Sequence, residues 1–522
     1  PIPFATLVAR MDQELAAGDA LYGMARKDWW VPDPERDVSL NHLGTRIATP
    51  AGPASGPHTQ LAQNLVLSFL GGGRFMELKT VQVDDELVIP RPCIHVPHIG
   101  YNVEWSQELR VPQSAAEYAK GWMLLHMLAS EHGPGLWPGV DTIFDISLGY
   151  NLDGIRTDKV RGYLDIIHDA GPLMEQLRSE LPASLARWRD VVVPDRISDT
   201  VTLSTFHGCP AHEIEAIATQ TLEWGLHTVV KLNPTLLGHD RCRAMLDAMG
   251  YDFVRLNPEA FECDLQWEQL MQMIPRLEAV AAARGLELGV KFTNTLVCHS
   301  EEPPFGEGEM YLSGPPLHVL SFTLASEFRQ ATHARIPITF SAGVDAVNFP
   351  VCVASGLGPV TSCSDLLKVR GYARMTRYVR NLEKRMAGHG VGTLDAMKCA
   401  ESGGDDPALA GAQTLARVAS ELLDDPRYHR AANAKAPRKV GTDLVLFDCL
   451  TCDKCIPVCP NNANFELTVD TGEWATGTLT WDQGAFELEA GPPLVVAKRH
   501  QIGTVADACN LCGQCDPWCP ED

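Results

Sequence analysis

Two patterns predict an α/β protein with a parallel (β/α)8 barrel and a small cysteine-built module behind it. From about residue 44 to 375, short β-rich runs alternate with helical stretches, and near the C-terminus two four-cysteine runs repeat one spacing. Repeated βα units build a parallel sheet, and a closed ring of them is a barrel. The runs read as strands are Phe75–Thr80, Thr142–Leu148, Thr200–Ser204, Thr228–Leu232, Phe253–Leu256, Leu288–Thr293, Ile336–Ser341 and Pro359–Cys363. Amphipathic stretches such as His212–Trp224 and Leu265–Arg284 supply helices between them. A doubly wound sheet is the competing architecture. Against it, no strand is followed by GxGxxG opening a helix; Gly388–Gly392 follows the helical run Thr376–Met386 and reads as a C-cap and loop.

Four units follow from this reading. Residues 1–43 form an N-terminal cap, whose first helix is marked by Phe4, Leu7, Val8, Met11 and Leu15 at helical spacing and has no signal-peptide core. Residues 44–385 form the barrel, and 386–440 a Gly/Asp/Ala-rich helical connector. Residues 441–522 form the cysteine module, with a β insertion at 461–505 carrying turns at Asp470–Gly472 and Asp482–Gly484, read as a pair of hairpins.

The cysteine runs are Cys449-x2-Cys452-x2-Cys455-x3-Cys459-Pro460 and Cys509-x2-Cys512-x2-Cys515-x3-Cys519-Pro520. This is the bacterial-ferredoxin spacing for [4Fe–4S] clusters, in which the fourth cysteine serves the other cluster. Cys449, Cys452, Cys455 and Cys519 therefore form one ligand set, and Cys509, Cys512, Cys515 and Cys459 the second. Zinc also takes CxxC pairs, but two identical runs each closed by proline favour iron–sulfur.

Composition narrows the partners. Lys plus Arg number 43 against 66 Asp plus Glu, a net charge of −23, which argues against nucleic acid and anionic membrane. No apolar run reaches the 18 residues of a membrane helix. The eight remaining cysteines are scattered, and with iron–sulfur ligands they point to the reducing cytoplasm.

In a barrel, function gathers where strands end at the C-terminal face. Those ends read Thr49-Pro-Ala-Gly-Pro-Ala-Ser55-Gly-Pro-His58, Glu77-Leu-Lys79-Thr80, Ser204-Thr-Phe-His207-Gly-Cys209-Pro, Lys231-Leu-Asn-Pro-Thr, Lys291-Phe-Thr-Asn294-Thr295, Leu312-Ser-Gly-Pro-Pro, Ser341-Ala-Gly343-Val344-Asp345 and Thr361-Ser-Cys363-Ser364. This order resembles the FMN-binding barrel of dihydroorotate dehydrogenases and of dihydropyrimidine dehydrogenase, whose C-terminal half also places a paired [4Fe–4S] ferredoxin after the barrel. Closer still, HTQLAQN (58–64), ELKTVQ (77–82), HGCPxHEIEAI (207–217) and VKLNPTLLG (230–238) are similar to the YgfK-type oxidoreductases, a family linked by name to selenate reduction.

The resemblance implies an FMN site. A flavin phosphate needs backbone N–H donors at a glycine turn and a helix start, supplied by Gly343, Val344, Cys363 and Ser364. The ring needs close backbone approach, at Ala54 and Ser55, and cations at its N1–C2 edge, at Lys79 (beside Thr80) and Lys231. Asn294 and Thr295 resemble the pair that binds a ring amide in the relatives, and His58 and Asn102 are further substrate candidates. The proton donor is either Cys209 or His207: a thiol serves if its site adjusts it, and a histidine suits transfer near neutrality.

The expected function is an FMN and iron–sulfur oxidoreductase that passes electrons between two [4Fe–4S] clusters and FMN and reduces or oxidises a C=C or C=N bond of a small pyrimidine- or purine-like heterocycle. The alternative is an electron-transfer subunit of a larger redox complex. With no dinucleotide fold of its own, the chain is expected to work with an NAD(P)H/FAD subunit resembling the small subunit of glutamate synthase, or with ferredoxin; a homo-oligomer is compatible with this reading.

Overall fold

The computed structural model describes residues 1–84, 89–103, 109–204, 207–299, 305, 308–441 and 447–521. Eight strands form the central parallel sheet: β1 (Ala51–Pro53), β2 (Phe75–Glu77), β3 (Ile143–Leu148), β4 (Thr200–Ser204), β5 (His227–Leu232), β6 (Leu288–Phe292), β7 (Ile338–Phe340) and β8 (Val360–Ser362). Their order is β1-β8-β7-β6-β5-β4-β3-β2. The ring closes where Arg74 N–H donates to the Ala51 carbonyl at 2.8 Å. Gly52 makes that closure possible, because a Cβ there would sit 1.6 Å from the Phe75 carbonyl oxygen. Most strand positions are buried, as expected where helices cover a parallel sheet.

Helices Ala211–Glu223 and Trp267–Ala283 fall where the apolar spacing predicts them, burying Ile214, Ile217 and Leu222, and Leu270, Ile274 and Leu277. The N-terminal helix Phe4–Ala17 buries Phe4, Leu7, Val8 and Met11. Gly390, with φ of 67°, ends helix Met375–His389 in the left-handed conformation that glycine adopts without a Cβ clash. Within 386–440, helices Leu394–Ser402 and Pro407–Glu421 pack Leu394, Met397, Leu415 and Val418 into the barrel's own core.

Two strand expectations are corrected. Phe253–Leu256 supplies no barrel strand. Only Arg255–Leu256 is extended, and it pairs antiparallel with Leu296–His299 in a separate five-stranded sheet above the barrel. Arg255 is exposed and Leu256 half-buried, whereas a barrel strand must bury both faces. The ring is completed instead by Ala-Gly-Pro at β1, a composition with little strand preference.

The insertion is one long antiparallel ribbon rather than two hairpins. Asn464–Thr468 pairs with His500–Thr504, Gly472–Trp474 with Leu494–Val496, and Gly477–Asp482 with Ala485–Ala490. Only Gln483-Gly484 reverses the chain; both have positive φ, 43° and 93°, which suits a tight hairpin turn. Asp470-Thr471 merely interrupts one arm. The outer ribbon puts Leu479, Trp481, Phe486 and Leu488 in facing pairs, all exposed. Among the described residues, no helix is long and apolar enough to cross a membrane.

Candidate functional site

The ends of β1, β2, β5, β6, β7 and β8 converge on one cavity at the C-terminal face. Ala54, Ser55, Lys79, Thr80, Lys231, Asn294, Gly343, Val344, Cys363 and Ser364 all line it, as do Asn102 and Thr295. The cavity and its open mouth together span about 990 Å³ of space free of protein atoms. The sequence reading left out Tyr101, Ser313 and the apolar wall of Ile94, Val96 and Leu367. Ser313 lies in the LSGP motif; Ile94 and Tyr101 lie in short strands of the second sheet, and none of the others belongs to a motif.

Beneath the cavity, charges are paired. Lys291 of β6 is wholly buried, and its ammonium contacts the Glu77 carboxylate of β2. Glu77 also accepts from Thr361 Oγ1 at 2.8 Å and Ser55 N–H at 3.0 Å. Burial alone would raise the Glu77 carboxyl, but the charges of Lys291 and Lys231 and these hydrogen bonds hold it below its usual range. Burial, and then the charge of Lys291, bring Lys231 down to about 8. Lys291 carries the same signal that marks Lys79 and Lys231, a lysine inside an apolar strand run, yet it serves the floor of the site.

The cradle at β7 and β8 suits a phosphate. Gly343 has φ of 52°, and among the described residues no acceptor takes the N–H groups of Gly343, Val344, Cys363 or Ser364. Ser364 Oγ lies 2.8 Å from Ser313 Oγ. Converging N–H groups and hydroxyls opposite two lysines form a donor set that fits a flavin mononucleotide.

The proton-donor candidates separate. Cys209 is buried in a different, small apolar pocket among Leu148, Leu203, Ile214 and Ile217, where burial and then the charges of Glu213 and Asp264 push its thiol up to about 12. His207 does not itself line the cavity but stands behind Thr295, which does: its Nε2 lies 3.1 Å from the Thr295 carbonyl and its Nδ1 2.7 Å from Asp264. Thr205 and Phe206 of that loop lie outside the described residues. His58 is buried behind the wall, 3.8 Å from Cys363 Sγ, and burial followed by the charge of Lys79 lowers it to about 3.

The eight cysteines of the C-terminal module gather on the barrel's rim. Cys455 is pushed up to about 12 by burial and then by its neighbours Cys515, Cys449 and Cys452; Cys512 likewise, by burial and then Cys459, Cys93 and Cys515. Thr451, Asp453, Leu511 and Gly513 between them take positive φ, curling each run tightly. Backbone N–H groups of Thr451 and Ala463 donate to Cys449 Sγ and Cys459 Sγ at 3.2 and 3.3 Å. Clustered thiols that accept backbone hydrogen bonds fit iron–sulfur ligation. The Cys512 carbonyl accepts N–H bonds from Cys93 and Ile94, each at 2.9 Å, so the second run is seated against the cavity's apolar wall.

Comparison with known proteins agrees with this architecture. A family model described as the N-terminal TIM-barrel domain of oxidoreductase YgfK matches residues 22–428. The YgfK oxidoreductases of Escherichia coli K12 and of E. coli O157:H7 are each 37% identical over 479 residues, covering 88% of this chain and 44% of theirs. The chain thus spans less than half the length of these curated relatives. Among solved structures, ligand-free dihydroorotate dehydrogenase from Eimeria tenella is 17% identical with a TM-score of 0.48, covering 74% of this chain and 98% of that one. The same enzyme with ferulenol gives 18% and 0.46, covering 76% and 95%. The barrel, its match over residues 22–428 and the identity to the two E. coli proteins together show that this chain belongs to the YgfK oxidoreductase family.

Proposed function

We propose that this chain is the substrate-transforming part of a flavin and iron–sulfur oxidoreductase acting on a C=C or C=N bond of a small pyrimidine- or purine-like heterocycle. The observation that carries the reading is the junction of two donor sets. The cavity with its lysines and N–H cradle shares the wall residues Val96 and Leu367 with the cysteine module, through Gln514. Bound flavin mononucleotide would supply hydride transfer and couple one-electron carriers to a two-electron reaction.

The chain's residues divide that work. Gly343, Val344, Cys363 and Ser364 hold the phosphate, and Lys79 and Lys231 balance negative charge at the ring. Asn294, Thr295 and Asn102 orient the heterocycle, and Ile94, Val96 and Leu367 exclude water on the module side. The two cysteine sets hold [4Fe–4S] clusters. We further propose a cytoplasmic setting and, as electron donor, an NAD(P)H/FAD protein resembling the small subunit of glutamate synthase, or ferredoxin.

The test is to purify the protein without oxygen, denature it, identify the released flavin by chromatography and assay iron. About one FMN and roughly eight irons, as two [4Fe–4S] clusters require, are expected. Iron without flavin would overturn the hydride-transfer reading and leave an electron carrier.

A further inference from the structure

We propose that Asp264 is a positioning residue that fixes His207 as the proton donor of the cavity, an inference that rests on the oxidoreductase reading above. Asp264 caps the short helix Pro258–Cys263, and its side chain is buried. No motif marks it. Its carboxylate collects four donors from two barrel loops: His207 Nδ1 at 2.7 Å, Thr235 Oγ1 at 2.7 Å, Asn233 Nδ2 at 3.1 Å, and the Gly208 N–H. A buried carboxylate is costly unless it is paired and hydrogen-bonded in this way. Burial pushes its carboxyl up, but the hydrogen bond and charge of His207, with the bonds from Gly208 and Thr235, hold it below the usual range.

The consequence falls on His207. Nδ1 faces a carboxylate that only accepts, so this nitrogen carries a proton. Nε2 faces the Thr295 carbonyl, also only an acceptor, at 3.1 Å. Both ring nitrogens therefore face acceptors, and the Nε2 end is the one turned toward the cavity wall that Thr295 helps to form. The ring stacks on Tyr311 at 5.9 Å with planes 12° apart, which fixes its tilt, and Thr295 lies in the cavity wall beside Asn294. A substrate atom at that wall replaces the carbonyl as the acceptor. In the reductive direction a bound reduced flavin would supply hydride, two electrons and one hydrogen, to one atom of the double bond; His207 would give its Nε2 proton to the other atom, and a proton from water would restore the ring. Cys209, in its own apolar pocket, has no comparable access.

The test uses the full chain prepared anaerobically with ¹⁵N-histidine, as wild type, Asp264→Asn and His207→Gln. The wild type is expected to show a downfield Nδ1–H proton resonance that is absent from both variants while flavin and iron contents are unchanged. A resonance missing from the wild type, or persisting in Asp264→Asn, would overturn the inference. The second measurement follows reoxidation of dithionite-reduced protein by uracil, thymine and hypoxanthine in turn. With the fastest of these, both variants are expected to slow reoxidation by on the order of 10²-fold, the scale of general acid catalysis. Wild-type rates in either variant, or a larger loss in Cys209→Ala than in His207→Gln, would also overturn it. If none of the three reoxidises the wild type, the reductase reading fails for these heterocycles, and the ring-proton signature still decides whether Asp264 fixes His207.

Discussion

Gln514, wholly buried, donates from Nε2 to the Leu367 carbonyl at 2.7 Å, joining the cysteine module to the cavity wall. Its Oε1 accepts the Val96 N–H at 2.9 Å, so one side chain ties two wall segments together.

Gln514→Ala leaves the Val96 N–H and the Leu367 carbonyl buried without these partners, at a cost of about 1–3 kcal/mol each. The expected result is a loosened module: proteolysis between residues 430 and 440 accelerates while the barrel core stays resistant. Mapping of limited-digest fragments by mass spectrometry checks this.

Lys291→Met strands the Glu77 carboxylate in the barrel floor. Breaking a buried pair by removing one partner costs about 3–5 kcal/mol, so the unfolding midpoint in urea falls sharply. Surface pairs such as Arg276–Glu215, with the arginine about half exposed, change little when broken, since exposed pairs contribute only about 0–1 kcal/mol.

Asp145 in β3 gives a pH signature. Its oxygens lie against the Thr200 and Thr202 hydroxyls without meeting hydrogen-bond geometry, and burial followed by the charge of Glu77 pushes its carboxyl up to about 7. Between the usual carboxyl value and 7 the folded chain binds this proton and the unfolded chain does not. Asp145 therefore lowers stability progressively as pH rises through that window. Asp145→Asn is expected to be more stable than wild type at pH 8, with the gap closing below pH 4. Urea denaturation across pH reads it directly.

Lys231→Met removes a buried cation from the cavity. Charge-assisted hydrogen bonds are worth about 1.5–3 kcal/mol, so flavin mononucleotide binding to deflavinated protein weakens about 10- to 100-fold. Because Lys231 titrates near 8, its ammonium loses its proton above that pH. Wild-type affinity accordingly declines with rising pH while the variant's does not; equilibrium dialysis measures both.

Much of the architecture was legible because its physics is local. Strands buried on both faces read as apolar runs, and the helices between them keep an apolar stripe. The cavity wall was legible because strand ends converge at one barrel face whatever the loops between them do. What escaped is tertiary. β1 is a strand only because Gly52 lets it approach Phe75. Asp264 lies 57 residues from His207, and only the fold brings its carboxylate under the ring. Cys209, five residues after the strand end at Ser204, turns instead beneath the following helix, among Ile214 and Ile217. A spacing argument cannot tell which way a loop folds over.

The ribbon between the cysteine runs bears on how such a module tolerates change. Its ladder pairs Asn464 with Thr504, so the chain leaves the metal-binding loops and comes back to nearly the same point. The base of the ribbon also meets the first cysteine run, through Lys498 to the Cys449 carbonyl and His500 to Asp453, whereas Gly477–Asp482 and Ala485–Ala490 are exposed throughout. That outer part can gain or lose rungs in facing pairs without altering the distance the base must span. That makes the Gln483-Gly484 tip, far from every cysteine in sequence, a natural splice point for a reporter or an affinity handle.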